Sequence, residues 1–317
     1  MATEFLMAGL GLAILLLSGD SLVRGAVNLS LRLGVPKLLV SLTIVAFGTS
    51  APELLVSLKS VLEGVPGIAV GNVVGSNIAN VLLVLGVPAL VSSIRSTACD
   101  ARKSYVTMML ASVMFAGLAL TGPIGLWKGM GLLALLALIL GDTYLAVRRA
   151  RRPGCEPDLE ALEGADLGIP VWQVILYLLV GLVGLPFGAD LLVDSAVLIA
   201  HDFGVSEAVI GLTLVAIGTS LPELATTVMA AVRQHAEVAL GNVIGSNMFN
   251  LLAIIGTTAV VHPVAVTAEI MRFDLWVMLG ASVLLFPFVY LGLDISRRWG
   301  LAFIGLYASY LTFVVVG

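Results

Sequence analysis

Two glutamates stand where the apolar chain around them would be expected to have none. Glu53 closes the run Ala46-Phe47-Gly48-Thr49-Ser50-Ala51-Pro52-Glu53, and Glu223 closes Ala216-Ile217-Gly218-Thr219-Ser220-Leu221-Pro222-Glu223. Each run interrupts an apolar stretch long enough to cross a bilayer. A carboxylate at membrane depth is costly; it faces a protein interior or a wet cavity and marks a path for ions. In each run the alanine, threonine, serine and glutamate fall at i, i+3, i+4 and i+7, so Ala46, Thr49, Ser50 and Glu53 share one helical face, as do Ala216, Thr219, Ser220 and Glu223. The donors are hard oxygens, and the sequence has no Cys or His cluster of the kind zinc or copper selects. The chemistry predicted is reversible binding of a hard cation. The plainer reading, a kinked helix whose glutamate bonds a neighbour, would serve for one copy but is disfavoured for two.

The elements that position these groups are broken helices. Pro52 lacks an N–H and its ring clashes with the carbonyl at Gly48, and Pro222 does the same at Gly218, so each helix kinks or unwinds just before its glutamate. Irregular backbone at membrane depth is tolerated where it is buried in protein or lines a cavity. The two runs lie 170 residues apart, and the same offset holds for Asp20/Asp190, Gly34/Gly204, Thr43/Thr213, Gly71/Gly241, Ser76/Ser246, Asn80/Asn250 and Gly86/Gly256. The chain is an internal duplication. Each copy also carries a polar helix, Gly71-Asn72-Val73-Val74-Gly75-Ser76-Asn77-Ile78-Ala79-Asn80 and Gly241-Asn242-Val243-Ile244-Gly245-Ser246-Asn247-Met248-Phe249-Asn250. Asn72, Ser76 and Asn80 share a face by i+4 steps, as do Asn242, Ser246 and Asn250. The glycines are expected to let helices approach closely. Asn80 and Asn250 are expected to be ligands or direct supports of them, ahead of Asn77 and Asn247.

Composition sets the frame. With 59% apolar and 11% charged residues and a mean hydropathy of +1.10, the chain lies far outside soluble usage and reads as an all-α polytopic membrane protein. Ten spans are predicted, near 4–30, 38–62, 68–93, 103–121, 124–147, 170–200, 207–231, 238–261, 273–293 and 299–316. Five spans per copy is odd, so the second five-helix unit (170–317) enters the membrane opposite to the first (1–147), an inverted repeat joined by a linker at 148–169. Twelve Lys and Arg residues fall in the loops after odd-numbered spans, while only Lys59, Lys128 and Arg272 fall on the other side. Positive charge marks the cytoplasmic side, so both termini are expected outside and the linker in the cytoplasm. The linker acids Glu156, Asp158, Glu160, Glu163 and Asp166 read as solvated. Cys99 and Cys155 lie in different loops and read as free thiols. Glu4 and the lack of a preceding base argue against a cleaved leader. Asp20 and Arg24, one turn apart, predict an ion pair, whereas Asp194 takes the place of that Arg beside Asp190. His201, His235 and His262 read as solvated loop residues.

The paired GTSAPE and GTSLPE elements, each followed by GNVVGSN or GNVIGSN and an Asn three residues later, resemble the two alpha-repeats of the calcium/cation antiporter superfamily, nearest to its prokaryotic sodium/calcium exchangers. The resemblance covers essentially the whole chain. It implies that Glu53 and Glu223 hold a calcium ion together with the carbonyls of Thr49 and Thr219. It implies further that Ala46, Ser50, Ala216, Ser220, Ser76 and Ser246 line flanking sodium sites. The Asn80/Asn250 pair is similar to potassium-independent members, since the potassium-dependent branch carries Asp at the position of Asn250.

The function expected is exchange of calcium for sodium across a cell membrane by alternating access, with no cofactor and no obligate protein partner. The alternatives are a proton-coupled divalent exchanger on the same fold and a cation channel, although a channel would more naturally show a ring of acids or carbonyls. No nucleophile, base and orienting group cluster, so an enzyme is not expected. Neither a phosphate loop nor a basic aromatic patch for nucleic acid is present.

Overall fold

The computed structural model describes residues 2–35, 37–94, 101–150, 168–203 and 216–316. Backbone passing through lipid must satisfy its own N–H and C=O groups, and the chain does so as helices. Among the described residues there is no strand, only isolated bridges pairing Ile94 with Ile295 and Ile124 with Val264. Helix α1 (Ala2–Leu33) is followed by α2 (Lys37–Val40), a π-helical turn at Ser41–Val45, α3 (Ala46–Thr49) and α4 (Ala51–Leu62). Next come α5 (Pro66–Leu82), α6 (Gly86–Val91), α7 (Arg102–Leu120) and α8 (Leu126–Ala150). Beyond the linker lie α9 (Val171–Asp202), α10 (Ala216–Gly218), α11 (Leu221–Val232) and α12 (Ala236–Phe249). A second π-helical turn, Asn250–Ile254, leads into α13 (Ile255–Val261), and a third, Ile270–Asp274, precedes α14 (Leu275–Leu284), α15 (Phe286–Tyr290) and α16 (Arg297–Val316).

Among the described residues seven helices are long and apolar enough to cross a membrane, eight when the bent pair 37–49 and 51–62 counts as one. The predicted seventh span begins in residues outside the described ones. Cys99, Cys155, Thr213, Gly204 and the five linker acids also lie outside them.

The most polar helices sit at the centre. The apolar windows of α5–α6 and α12–α13 are 78% and 94% buried, against 17% for α8 and 28% for α9, so α8 and α9 turn most of their surface to lipid. Asn72 and Asn77 on α5 and Asn242 and Asn247 on α12 are tolerable because neighbouring helices supply partners for their amides. Gly245 allows α12 to lie against the second span: a Cβ there would stand 2.8 Å from the Leu42 carbonyl oxygen and 2.6 Å from the Ala46 Cβ. The most extensive helix pair among the described residues joins α1 to α9. Gly11 permits the approach, since a Cβ on it would lie 2.7 Å from the Leu192 backbone nitrogen.

Candidate functional site

The first break is sharp. Pro52 occupies the first turn of α4, where its missing N–H costs nothing, and α4 leaves the preceding helix at 43°. Only Ser50 separates α3 from α4, and its amide bonds the Ala46 carbonyl at 3.0 Å, so Ala46 O is engaged within the helix. The second break is wider. Thr219 and Ser220 form a turn between α10 and α11, and the Ser220 amide bonds Ile217 O, three residues back, at 3.0 Å. Ala216 begins α10; its side chain lies outside the described ones.

Both breaks deliver their glutamate to the protein interior. Glu53 and Glu223 are each 0% exposed, and Ala46, Thr49, Ser50, Ser76, Asn80, Ser220, Ser246 and Asn250 are buried with them, while Thr219 is half-buried. The segments are tied to one another: Ser50 Oγ donates to Glu223 Oε1 at 3.0 Å, and Ser246 Oγ reaches the same oxygen at 3.4 Å. Thr49 Oγ1 lies 3.2 Å from Asn242 Oδ1, 3.3 Å from Ala46 O and 3.5 Å from Ser246 Oγ. At the crossing of α5 and α12 the Asn77 amide donates to Asn247 O and the Asn247 amide to Asn77 O, each at 3.3 Å. Asn250 Nδ2 donates to Asn77 Oδ1 at 3.0 Å. Asn77 and Asn247 thus clasp two helices.

What is left over defines the chemistry. Among the described residues, no hydrogen-bond partner reaches either carboxylate oxygen of Glu53, Oε2 of Glu223, the hydroxyls of Ser76 and Ser220, either end of the Asn80 amide, or Oδ1 of Asn250. Native proteins seldom bury a polar atom without a partner, and an unpaired buried carboxylate costs several kcal/mol or more. Thr226 Oγ1, which the sequence reading does not select, and Asn247 Oδ1 are left in the same way, and nearly all of these atoms are oxygens. A set of carboxylate, amide and hydroxyl oxygens with unused lone pairs fits a hard, weakly polarising cation as cargo. Among the described residues no group of three or more His, Cys, Asp or Glu comes together as a metal cluster.

Away from the site, Asp20 on α1 pairs with Arg24 at 3.0 Å, as its spacing predicts, and also with Arg233 at the end of α11. Sequence reading missed Arg233, which is 213 residues away. It also misjudged His235, which is 2% exposed and has Nδ1 3.4 Å from Lys37 Nζ; Gln234, at φ 59°, turns the chain and tucks the imidazole inward.

The family model described as sodium/calcium exchanger protein matches residues 3–143 and 173–316. Among relatives, the chain is 36% identical to a putative antiporter, CaxA, of Alkalimonas amylolytica over 286 residues, covering 90% of this chain and 88% of the relative. It is 31% identical to the sodium/calcium exchanger MaX1 of Methanosarcina acetivorans, covering 97% of each. A solved structure of the sodium-calcium exchanger NCX_Mj, soaked with zero Na+ and Ca2+, superposes with a TM-score of 0.82 at 31% identity, covering 99% of this chain and 98% of the other. The chain therefore belongs to the sodium/calcium exchanger protein family, and it is an integral membrane cation antiporter rather than an enzyme.

Proposed function

We propose that this protein exchanges calcium for sodium by alternating access, at a site centred on Glu53 and Glu223. The observation that carries the reading is the pair of fully buried glutamates with unused carboxylate oxygens, linked through Ser50 and framed by Ser76, Ser246, Asn80 and Asn250. Two ionised carboxylates carry two negative charges. One calcium ion neutralises them, and the carboxylates with the Thr49 and Thr219 carbonyls approach the roughly six to eight oxygens that calcium takes. Sodium ions using the same carboxylates, with Ala46, Ala216, Ser50, Ser220, Ser76 and Ser246 beside them, compete for the charge. A site that is negative when empty resists crossing an apolar barrier and a loaded one does not, which makes exchange obligatory. A third sodium ion per calcium would move one net charge, and 100 mV is then worth about 2.3 kcal/mol toward calcium export.

The scaffold in this reading is a pair of inverted five-helix units, 1–147 and 170–317, with ten spans, both termini outside and the linker 148–169 in the cytoplasm. Hydrogen bonds related by the 170-residue offset support it: Asn72 to Glu53 O is matched by Asn242 to Glu223 O, and Asn77 to Asn247 O by its converse. Helices α1 and α9, packed closely together, move as a unit across a core of α4, α5, α11 and α12.

Calcium uptake into vesicles holding the reconstituted protein tests this, with sodium, proton and potassium gradients imposed one at a time. An outward sodium gradient alone is expected to drive uptake. Uptake driven only by protons would reassign the coupling ion, and uptake needing no countergradient, with single-channel currents, would make the protein a channel.

A further inference from the structure

Asn72 and Asn242 lie beside the proposed ligands without being among them, and both make the same three contacts. Asn242 Nδ2 donates to Glu223 O at 3.3 Å and to Thr227 Oγ1 at 3.1 Å, while its Oδ1 accepts from Thr49 Oγ1 at 3.2 Å. Asn72 Nδ2 donates to Glu53 O at 3.3 Å and to Ser57 Oγ at 3.0 Å, while its Oδ1 faces Thr219 Oγ1 at 3.5 Å. Each amide therefore anchors on the glutamate segment of its own copy and holds the threonine of the other.

The orientation of each amide follows from its neighbours. A backbone carbonyl can only accept, so the NH2 end must face the Glu carbonyl; the flipped amide would set oxygen against oxygen. That leaves Oδ1 facing the threonine, and because Oδ1 can only accept, the threonine hydroxyl must donate. A hydroxyl has one proton. Thr49 Oγ1 has two other acceptors near, Ala46 O at 3.3 Å and Ser246 Oγ at 3.5 Å, and Asn242 Oδ1 at 3.2 Å is the nearest of the three. With its proton given to Asn242, the Thr49 hydroxyl retains only lone pairs, the state a nearby cation requires. Its threonine is also fixed in place, with its backbone carbonyl.

We propose that Asn72 and Asn242 are positioning residues for the transported cation, each setting the proton direction and placement of the threonine in the opposite copy. The inference rests on the cation site proposed above. It also explains a chemical choice: leucine would lack both functions, and an ionised aspartate would set an acceptor against the Glu carbonyl. Groups that orient metal ligands from behind typically contribute about 10–100-fold to metal affinity.

The test is calcium titration of the purified full chain by calorimetry, together with the calcium dependence of sodium-driven uptake, for Asn242→Leu, Thr49→Val and the double variant. Asn242→Leu is expected to weaken calcium binding roughly 10-fold or more and to raise half-saturating calcium more than it lowers the rate at saturation. Because Asn242 acts through Thr49, the double variant should be little worse than the weaker-binding single one. Additive losses, or calcium binding unchanged in Asn242→Leu, would overturn the inference. If Asn242→Leu does not fold, Asn72→Leu with Thr219→Val repeats the cycle in the other copy and is judged by the same outcomes. A parent chain that binds calcium but shows no sodium-driven uptake would overturn the exchange reading alone, since the binding cycle still decides the asparagines.

Discussion

The two glutamates occupy matching positions in matching sequence, yet their surroundings differ. Glu223 Oε1 is held by Ser50 and Ser246, whereas neither oxygen of Glu53 meets Ser220 or Ser76, the residues that the 170-residue offset pairs with them. The backbone differs in step: a single residue breaks the first helix and two turn residues break the second. The same chemistry is thus present twice but engaged once. The difference therefore lies in how the two breaks present matching side chains.

A second contrast lies farther out. Asp20 is tied to Arg24 and to Arg233, and Asp20 and Arg233 are each about one-fifth exposed. The offset turns those three positions into Asp190, Asp194 and Glu63, all acidic, and Glu63 pairs with the exposed Lys59 at 3.8 Å. One end of the α1–α9 unit is fastened to α11 by charge, whereas the register mates Asp190 and Asp194 on α9 are both acidic and cannot form the same pair.

The first contrast is sharpened by removing hydroxyls. Ser50→Ala deletes a charge-assisted bond to Glu223, a class of interaction worth about 1.5–3 kcal/mol, and should raise half-saturating calcium roughly 10-fold. Ser220→Ala deletes a hydroxyl that makes no bond among the described residues and should shift it several-fold less. Equal effects in flux assays would erase the distinction between the two corners. The second contrast yields a smaller effect. Arg233→Gln should lower thermal stability by about 1 kcal/mol, because it leaves a half-buried Asp20 with one partner, while Glu63→Gln should stay within roughly 0.5 kcal/mol. A melting series in which Glu63→Gln costs as much as Arg233→Gln would break that comparison.

Much of this was legible in the sequence because the repeat repeats its breakers. Pro52 and Pro222 announce the interrupted helices, and the i, i+3, i+4, i+7 spacing of Ala46, Thr49, Ser50 and Glu53 gives the buried face. What was not legible depends on contacts between distant segments. Asn72 and Asn242 show on the sequence as one more polar position on a helix; their role appears only when the threonine of the other copy is set against Oδ1. Arg233 gave no local signal, since its register mate is an acid. His235 looked solvated because loops usually are, but the turn at Gln234 is too short to leave the imidazole outside. The one sequence clue to its burial was the tight spacing between α11 and α12.

The central claim is that Glu53 and Glu223 hold one and the same cation. Equilibrium binding of radioactive calcium to the purified chain, with sodium as competitor, tests it most directly. The parent is expected to bind calcium that sodium displaces, and Glu53→Gln and Glu223→Gln should each lose that binding while keeping the parent's helical content. Calcium bound undiminished by both variants would contradict the account.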